Sequence, residues 1–133
     1  AVPERAERLA ASLRERFGAD RVEAAPLDTV PDALAWADGF VHATPVGMAA
    51  HPGTPVPAEL LRPELWVADV VYRPLETELV RTARARGCRV LDGGGMAVFQ
   101  AVDSFRLFTG VEPDADRMLR HFADLAGGVH VHS

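Results

Sequence analysis

The amino-acid sequence predicts an α/β fold in which a parallel sheet is covered by helices. Segments with the apolar character of strands alternate along the chain with segments of helical periodicity, the order typical of parallel sheets with helical crossovers. Residues 65–71 form a nearly continuous apolar run, as expected of a strand covered on both faces. A length of 133 residues, 48% of them hydrophobic, fits a compact folded chain of this class.

The first helices and strand are predicted from the spacing of apolar residues and from residues typical of helix ends. Apolar residues recur at helical spacing between residues 3 and 17, which predicts a helix. A short strand is predicted over 21–25. A short helix is predicted over 31–36, with Asp28 or Thr29 near its cap.

The rest of the chain continues the alternation. A strand over 40–43 ends at Thr44 and Pro45, and the stretch 47–57 is rich in glycine and proline, so it is predicted to be loop. The elements predicted after it are a strand at 65–71, a helix at 76–86, a strand at 89–91, helices at 96–108 and 113–125, and a loose tail from 126 to 133.

Composition narrows the classes of function. The formal net charge of -5 argues against nucleic-acid binding, which needs a basic patch. No apolar run approaches the ~18 residues of a membrane helix, and the first residues lack a secretory pattern, so a cytoplasmic protein is expected. The histidines show no metal-ligand spacing, including His130 and His132 in the tail, and no metal site is predicted.

Two residue types limit the chemistry. Every one of the 14 basic residues is Arg, so the chain offers no lysine that could act as a base. Cys88 is the only cysteine, which excludes an internal disulfide. It is interpreted as a small buried apolar residue, and it could act as a nucleophile only if a base converged on it.

Candidate site residues follow two strands at their carboxyl ends, where ligands sit in doubly wound sheets. Thr44 could donate or accept a hydrogen bond there, Pro45 fixes the backbone, and Gly47 could let a flat ligand approach, although a rigid turn explains the same residues. Tyr72 could offer its hydroxyl to a substrate or pack against the following helix.

Residues 93–95, all glycine, open a helix after a strand. The pattern is neither a dinucleotide fingerprint nor a phosphate-binding P-loop, so it indicates either close approach of the backbone to a ring or a flexible turn. Gln100 lies within the helix that follows. Its amide is either a ligand-binding group or a satisfied amide in the core.

These motifs together resemble the shikimate dehydrogenase family, and in finer details its actinobacterial quinate/shikimate branch. The resemblance rests on four stretches whose order and spacing agree with the family pattern. They are His42-Ala43-Thr44-Pro45-Val46-Gly47-Met48, Asp69-Val70-Val71-Tyr72-Arg73-Pro74-Leu75-Glu76-Thr77-Glu78-Leu79, Gly93-Gly94-Gly95-Met96-Ala97-Val98-Phe99-Gln100-Ala101 and Phe105-Arg106-Leu107-Phe108-Thr109-Gly110.

The resemblance implies an oxidoreductase that transfers hydride between NAD, with NADP as the alternative, and the ring hydroxyl of shikimate or quinate. The implied cofactor-binding residues are Arg5, Thr44, Pro45, Met48, Val70 and Gly93. Gln100 is implied to reach the substrate, with Tyr72 close by. His42 departs from the Asn of the family, which puts the hydrogen bonds of that position in question, and Gly94 and Gly95 are expected to loosen their turn.

The resemblance also implies an incomplete Rossmann-like, doubly wound parallel sheet whose first two strands are missing. A partial cofactor-binding domain is expected over 1–110, and a C-terminal helix and tail over 111–133. No catalytic residue is expected in the chain, because the family Lys and Asp belong to an N-terminal domain. The isolated chain is therefore expected to be inactive and to need the missing N-terminal portion or a second copy. The alternative is a non-catalytic remnant or interaction module.

Overall fold

The computed structural model describes residues 3–127. The predicted tail, with His130 and His132, lies almost entirely outside these residues. The chain divides into two compact units, Ala1–Trp36 and Ala37–Ser133. Each unit is built from the elements that its own sequence periodicity predicts, with one exception in the first unit.

The described part of the first unit contains two α-helices, α1 (Pro3–Phe17) and α2 (Val30–Trp36), as predicted. The strand predicted over 21–25 is wrong. A 3₁₀ turn occupies Ala19–Arg21, and no strand follows it, although Val22 has extended backbone angles. A strand requires a neighbouring strand to satisfy its backbone groups, whereas the Val22 carbonyl here accepts a hydrogen bond from Nε of Arg14 at 2.8 Å.

The second unit is organised around a parallel sheet of three strands in the order β1-β2-β3. The strands are β1 (Gly39–His42), β2 (Trp66–Asp69) and β3 (Arg89–Leu91). The central strand is the buried one, with Val67, Ala68 and Asp69 all buried, which confirms the interpretation of the apolar run. Among the described residues, β1 and β3 form the two edges of the sheet.

The connection from β1 to β2 is the predicted loop, with a 3₁₀ turn at Ala58–Leu60. Its apolar side chains are drawn inward, and Val56, Leu61 and Leu65 are part of the core. Burial of these side chains anchors a segment whose backbone hydrogen bonds form short turns.

Helix α3 (Glu78–Ala85) follows β2 and begins at Thr77, whose hydroxyl oxygen accepts a hydrogen bond from the amide of Val80 at 3.1 Å. Its buried face carries Leu79, Val80 and Ala83, the periodicity that predicted the helix. Gly87, with a φ of 83°, follows the end of the helix in the left-handed conformation that favours glycine.

Helix α4 (Gly93–Thr109) begins three residues before the predicted bound of 96, and the glycines at 93–95 that were predicted to open the helix form its first turn. The reason is the side chain of Asp92, which accepts a hydrogen bond from the amide of Gly95 at 3.2 Å and caps the first turn. Helix α5 (Ala115–Gly127) packs against α4. A Cβ on Gly94 would lie 2.6 Å from Leu75 and 3.3 Å from Phe122, so this glycine is tightly packed and does not loosen the turn.

No helix within residues 3–127 has both the length and the apolar character that crossing a membrane requires.

Candidate functional site

A cavity of about 290 Å³ lies beyond the carboxyl ends of β1 and β2. Parallel strands end at the same edge of a sheet, so the loops that follow them share this space. The cavity is lined by Ala43, Thr44, Pro45, Met48, Val70, Val71, Tyr72 and Arg73. Five side chains that the sequence predicted for one site, Thr44, Pro45, Met48, Val70 and Tyr72, are therefore brought together.

A pair of tight turns fixes the first wall of the cavity. The amide of Met48 donates to the carbonyl of Pro45 at 3.1 Å, and the amide of His51 donates to the carbonyl of Met48 at 2.8 Å. Gly47 has a φ of 94°, and a Cβ there would meet nothing closer than 3.6 Å. Gly47 is thus required by its left-handed backbone, and its small size is not needed for space.

Gly93 is required for the opposite reason, close packing. A Cβ at this position would lie 2.4 Å from the carbonyl oxygen of Val71 and 2.8 Å from that of Val70. Both atoms belong to the backbone, so neither can move aside cheaply. The first residue of α4 therefore abuts the end of β2, which places the start of the helix beside the cavity wall.

Tyr72 stands where two cavities meet. Its side chain is 49% exposed, and it lines both the 290 Å³ cavity and a neighbouring one of about 670 Å³. Met48 and Arg73 also line both. Tyr72 is therefore not buried against the following helix.

Next to the cavity, three buried polar side chains and Thr44 of the cavity wall are joined by hydrogen bonds. His42 and Asp69 are register partners across β1 and β2, and Nδ1 of His42 lies 3.0 Å from Oδ1 of Asp69. Nε2 of the same ring lies 2.5 Å from the hydroxyl oxygen of Thr44. The other carboxylate oxygen of Asp69 accepts a hydrogen bond from the hydroxyl of Thr77 at 2.6 Å. Side chains of both strands and the cap of α3 are thereby linked.

These hydrogen bonds were not predicted from the sequence, although two features of the sequence point to them. Asp69 is an acidic residue inside an apolar strand, where a charge requires partners. His42 stands two residues before Thr44, so the two side chains emerge on the same face of an extended segment. The question about the hydrogen bonds of His42 is answered, since both ring nitrogens have partners.

Two predicted residues are not among those that line the cavity. Arg5 belongs to the first unit and is exposed on α1. Gln100 is exposed on α4 and is not among the residues that line the cavity. Its exposure excludes the alternative of a satisfied amide in the core.

Cys88 is a buried residue with a structural contact. Its thiol donates a hydrogen bond to the carbonyl of Arg62 at 3.2 Å, and burial raises the pKa of the Cys88 thiol, opposed in part by the positive charge of Arg86. This agrees with its interpretation as a small buried residue. In the part of the chain that the structure describes, no group of His, Cys, Asp and Glu side chains is suited to hold a metal ion.

Comparison with known proteins gives a consistent result. The model of the Shikimate 5'-dehydrogenase C-terminal domain matches residues 93–121. The chain is 70% identical over 127 residues to the shikimate dehydrogenase (NADP(+)) of Streptomyces avermitilis. That match covers 96% of this chain and 44% of the Streptomyces protein. This chain is also 52% identical over 123 residues to the quinate/shikimate dehydrogenase (NAD(+)) of Corynebacterium efficiens. That match covers 92% of this chain and 43% of the Corynebacterium protein.

The structural comparison agrees. The quinate dehydrogenase from Corynebacterium glutamicum in complex with NAD superposes with a TM-score of 0.84 at 49% identity. The match covers 92% of this chain and 44% of that one, so the chain spans less than half the length of these relatives. The three parallel strands and their helices are those of a Rossmann-like fold. The chain belongs to the shikimate/quinate dehydrogenase family.

Proposed function

We propose that this chain forms the nicotinamide-side part of an NAD(P)-dependent shikimate/quinate dehydrogenase. The reaction is reversible hydride transfer between the nicotinamide ring and the ring hydroxyl of shikimate or quinate. The observation that carries the proposal is the cavity at the carboxyl ends of β1 and β2, which gathers Thr44, Pro45, Met48, Val70 and Tyr72. Its position is the one where dinucleotides bind in doubly wound sheets.

The wall suits a flat ring with one polar substituent. Pro45, Met48 and Val70 present apolar surface, which packs against a ring face and excludes water from it. Thr44 adds a hydroxyl at the rim. The bound nicotinamide supplies the hydride chemistry, while the protein supplies binding and orientation. Gly93 contributes by letting α4 begin close against this wall.

Two further residues would bind the substrate. We propose that Gln100, exposed on α4, donates its amide hydrogen bonds to the hydroxyls of shikimate or quinate. Tyr72, half-exposed at the cavity, would offer a further hydroxyl. Arg5 is proposed to bind the adenosine end of the cofactor. In this scheme residues 1–110 form the cofactor-binding part, and α5 within 111–133 supports α4.

We propose NAD as the cofactor and NADP as the alternative. Both are represented among the relatives, since the Corynebacterium efficiens protein is named for NAD(+) and the Streptomyces avermitilis protein for NADP(+). Arg5 is compatible with either, because an arginine can also pair with a 2′-phosphate. Affinity of the gene product for NAD and for NADP, measured side by side, decides between them.

The 133 residues expressed alone are proposed to catalyse the reaction at a negligible rate. They are also proposed to need further chain or a second copy to hold the cofactor-binding fold. The support is the complete lack of lysine and the half-exposed Val41 on edge strand β1. Sedimentation and amide hydrogen exchange test this. A monomer that unfolds cooperatively, with strong protection over 40–43, would contradict the need for a partner, and NAD-dependent quinate oxidation by these residues alone would contradict the inactivity.

The central test uses the full-length gene product with shikimate and quinate as substrates and NAD or NADP as oxidant. Met48→Ala should raise the KM for the cofactor severalfold, because it removes apolar wall surface, while the KM for the substrate changes little. Met118→Ala, on α5 and away from the cavity, is the matched control. If neither substrate is oxidised with either cofactor, the proposal is wrong.

An alternative proposal is a non-catalytic interaction module. It is favoured by the side chains of Leu107 and Phe108 near the end of α4, which are 85% and 89% exposed. This alternative predicts that the gene product binds no dinucleotide. It also predicts that replacing both side chains by Ser abolishes self-association in sedimentation experiments without affecting the fold.

A further inference from the structure

We infer that His42 is a positioning residue that holds the hydroxyl of Thr44 as a hydrogen-bond acceptor for the cavity. The site would then select a ligand with an N–H donor at that point, such as the carboxamide of nicotinamide. This inference rests on the proposed function and deepens it. The juxtaposition that carries it is Asp69, His42 and Thr44 in series, running from the buried sheet to the cavity rim.

The inner end of the series fixes the tautomer of the imidazole. Asp69 is fully buried, and its carboxylate accepts hydrogen bonds from the amide of Val71 at 3.0 Å and from the hydroxyl of Thr77 at 2.6 Å. An ionised carboxylate can only accept, so its contact with Nδ1 of His42 requires a proton on that nitrogen. The imidazole is buried as well, with 2% of its surface exposed.

The outer end then follows from the chemistry of a neutral imidazole. When the ring is neutral and carries its proton on Nδ1, Nε2 is an acceptor, and the hydroxyl of Thr44 donates to it. The Thr44 oxygen also faces the amide of Val46, at 3.4 Å. The hydroxyl hydrogen of Thr44 is therefore directed to His42. Only a lone pair of the hydroxyl oxygen is left for a ligand in the cavity, so that oxygen acts as an acceptor.

A histidine suits this task because its two nitrogens reach in two directions at once. Asparagine at position 42 could place an amide nitrogen where Nδ1 lies, but it is too short to reach Thr44 as well. His42→Asn therefore keeps the bond to Asp69 and cuts the bond to Thr44. Thr44→Val removes the hydroxyl and keeps the shape, so the two variants interrupt the series at successive points.

The probes are NAD and its 3-acetylpyridine analogue, in which a methyl group replaces the amide nitrogen and the donor is lost. The full-length gene product should bind NAD more tightly, and the Thr44 bond should contribute a factor of roughly ten to that preference. His42→Asn and Thr44→Val should each lower the preference by that factor. The double variant should lower it no further, because both changes remove one interaction. Thr54→Val, on the same loop but outside the cavity, should keep the full preference.

The tautomer is tested separately by ¹⁵N NMR of the histidine-labelled protein at neutral pH, which distinguishes a proton on Nδ1 from one on Nε2 and from the imidazolium ion. A neutral Nδ1–H ring at His42 is expected. An imidazolium ion would overturn the inference, because Thr44 would then accept from His42 and donate to the ligand. An unchanged preference in both variants would overturn it as well. If the unaltered protein binds neither dinucleotide, the proposed function itself is wrong, and the ligand assignment is overturned with it.

Discussion

The hydroxyl of Thr77 donates to Oδ2 of Asp69 at 2.6 Å and accepts from the amide of Val80 at 3.1 Å. One side chain therefore caps α3 and satisfies a buried carboxylate at the end of the central strand. Asp69 in turn holds His42, whose ring reaches the rim of the cavity at Thr44. The stability of the fold and the geometry of the candidate site are joined through these contacts.

Thr77→Val should destabilise the protein by about 2 to 4 kcal/mol, because it removes the helix cap and leaves a buried carboxylate oxygen without a donor. Urea unfolding followed by circular dichroism measures the loss. Thr77→Ser keeps the hydroxyl and should stay close to the unaltered protein. Thr82→Ala, in the interior of the same helix, should have little effect. Equal losses in Thr77→Val and Thr77→Ser would show that the hydroxyl is not the stabilising group.

Gly93→Ala and Gly95→Ala should have opposite effects on the same helix. At Gly93 the new methyl group would lie 2.4 Å from the Val71 carbonyl oxygen, and the strain should cost about 1 to 3 kcal/mol and weaken cofactor binding. At Gly95 the nearest atom is 4.0 Å away, so alanine should stabilise the helix by about 0.5 to 1 kcal/mol. Thermal unfolding of the two variants measures whether stability falls in Gly93→Ala and rises in Gly95→Ala. A stabilising Gly93→Ala would contradict the close packing of α4 on β2.

Glu112 should titrate below the ordinary range of a glutamate. Two hydrogen bonds from Arg106, at 2.6 and 2.7 Å, lower the pKa of the Glu112 carboxyl. A depressed pKa stabilises the fold above the ordinary carboxyl range, and this contribution is lost as the pH falls through the depressed value. The effect on stability should be small, because both side chains are exposed to solvent.

Carboxyl ¹³C NMR over an acid titration measures the pKa of Glu112 directly. Arg106→Gln should return it to the usual range, whereas Asp103→Asn should leave it depressed, since Arg106 supplies the interaction. A normal pKa for Glu112 in the unaltered protein would show that the ion pair does not persist in solution.

Cys88 should react slowly with a disulfide reagent in the folded protein and rapidly after unfolding. Burial raises the pKa of its thiol, so at any given pH less of the reactive thiolate is present than in an exposed cysteine. The contribution of the Cys88 thiol to folding stability is complete below the ordinary thiol pKa, and it declines as the pH rises through the raised pKa. Ser104→Cys in a Cys88→Ala background supplies an exposed thiol on α4 for comparison. Equal rates for the two thiols would contradict the burial of Cys88.

The cavity wall could be predicted in large part from sequence. Strand ends are local signals, and parallel strands end at one edge, so residues that follow β1 and β2 must meet. This reasoning brought Thr44 and Tyr72 to one cavity, as observed. The role of His42 could not be predicted, because its partner Asp69 lies 27 residues away and only the strand register brings the two side chains together.

The sequence by itself determined which segments are helices and where most of them end, since capping and periodicity act over a few residues. It also determined the parallel sheet, through a strand too apolar to face water on either side. Tertiary structure alone decided whether residues 21–25 form a strand and why Gly93 and Gly94 must be small. A strand exists only with a neighbouring strand, and a close contact exists only between segments that packing has brought together.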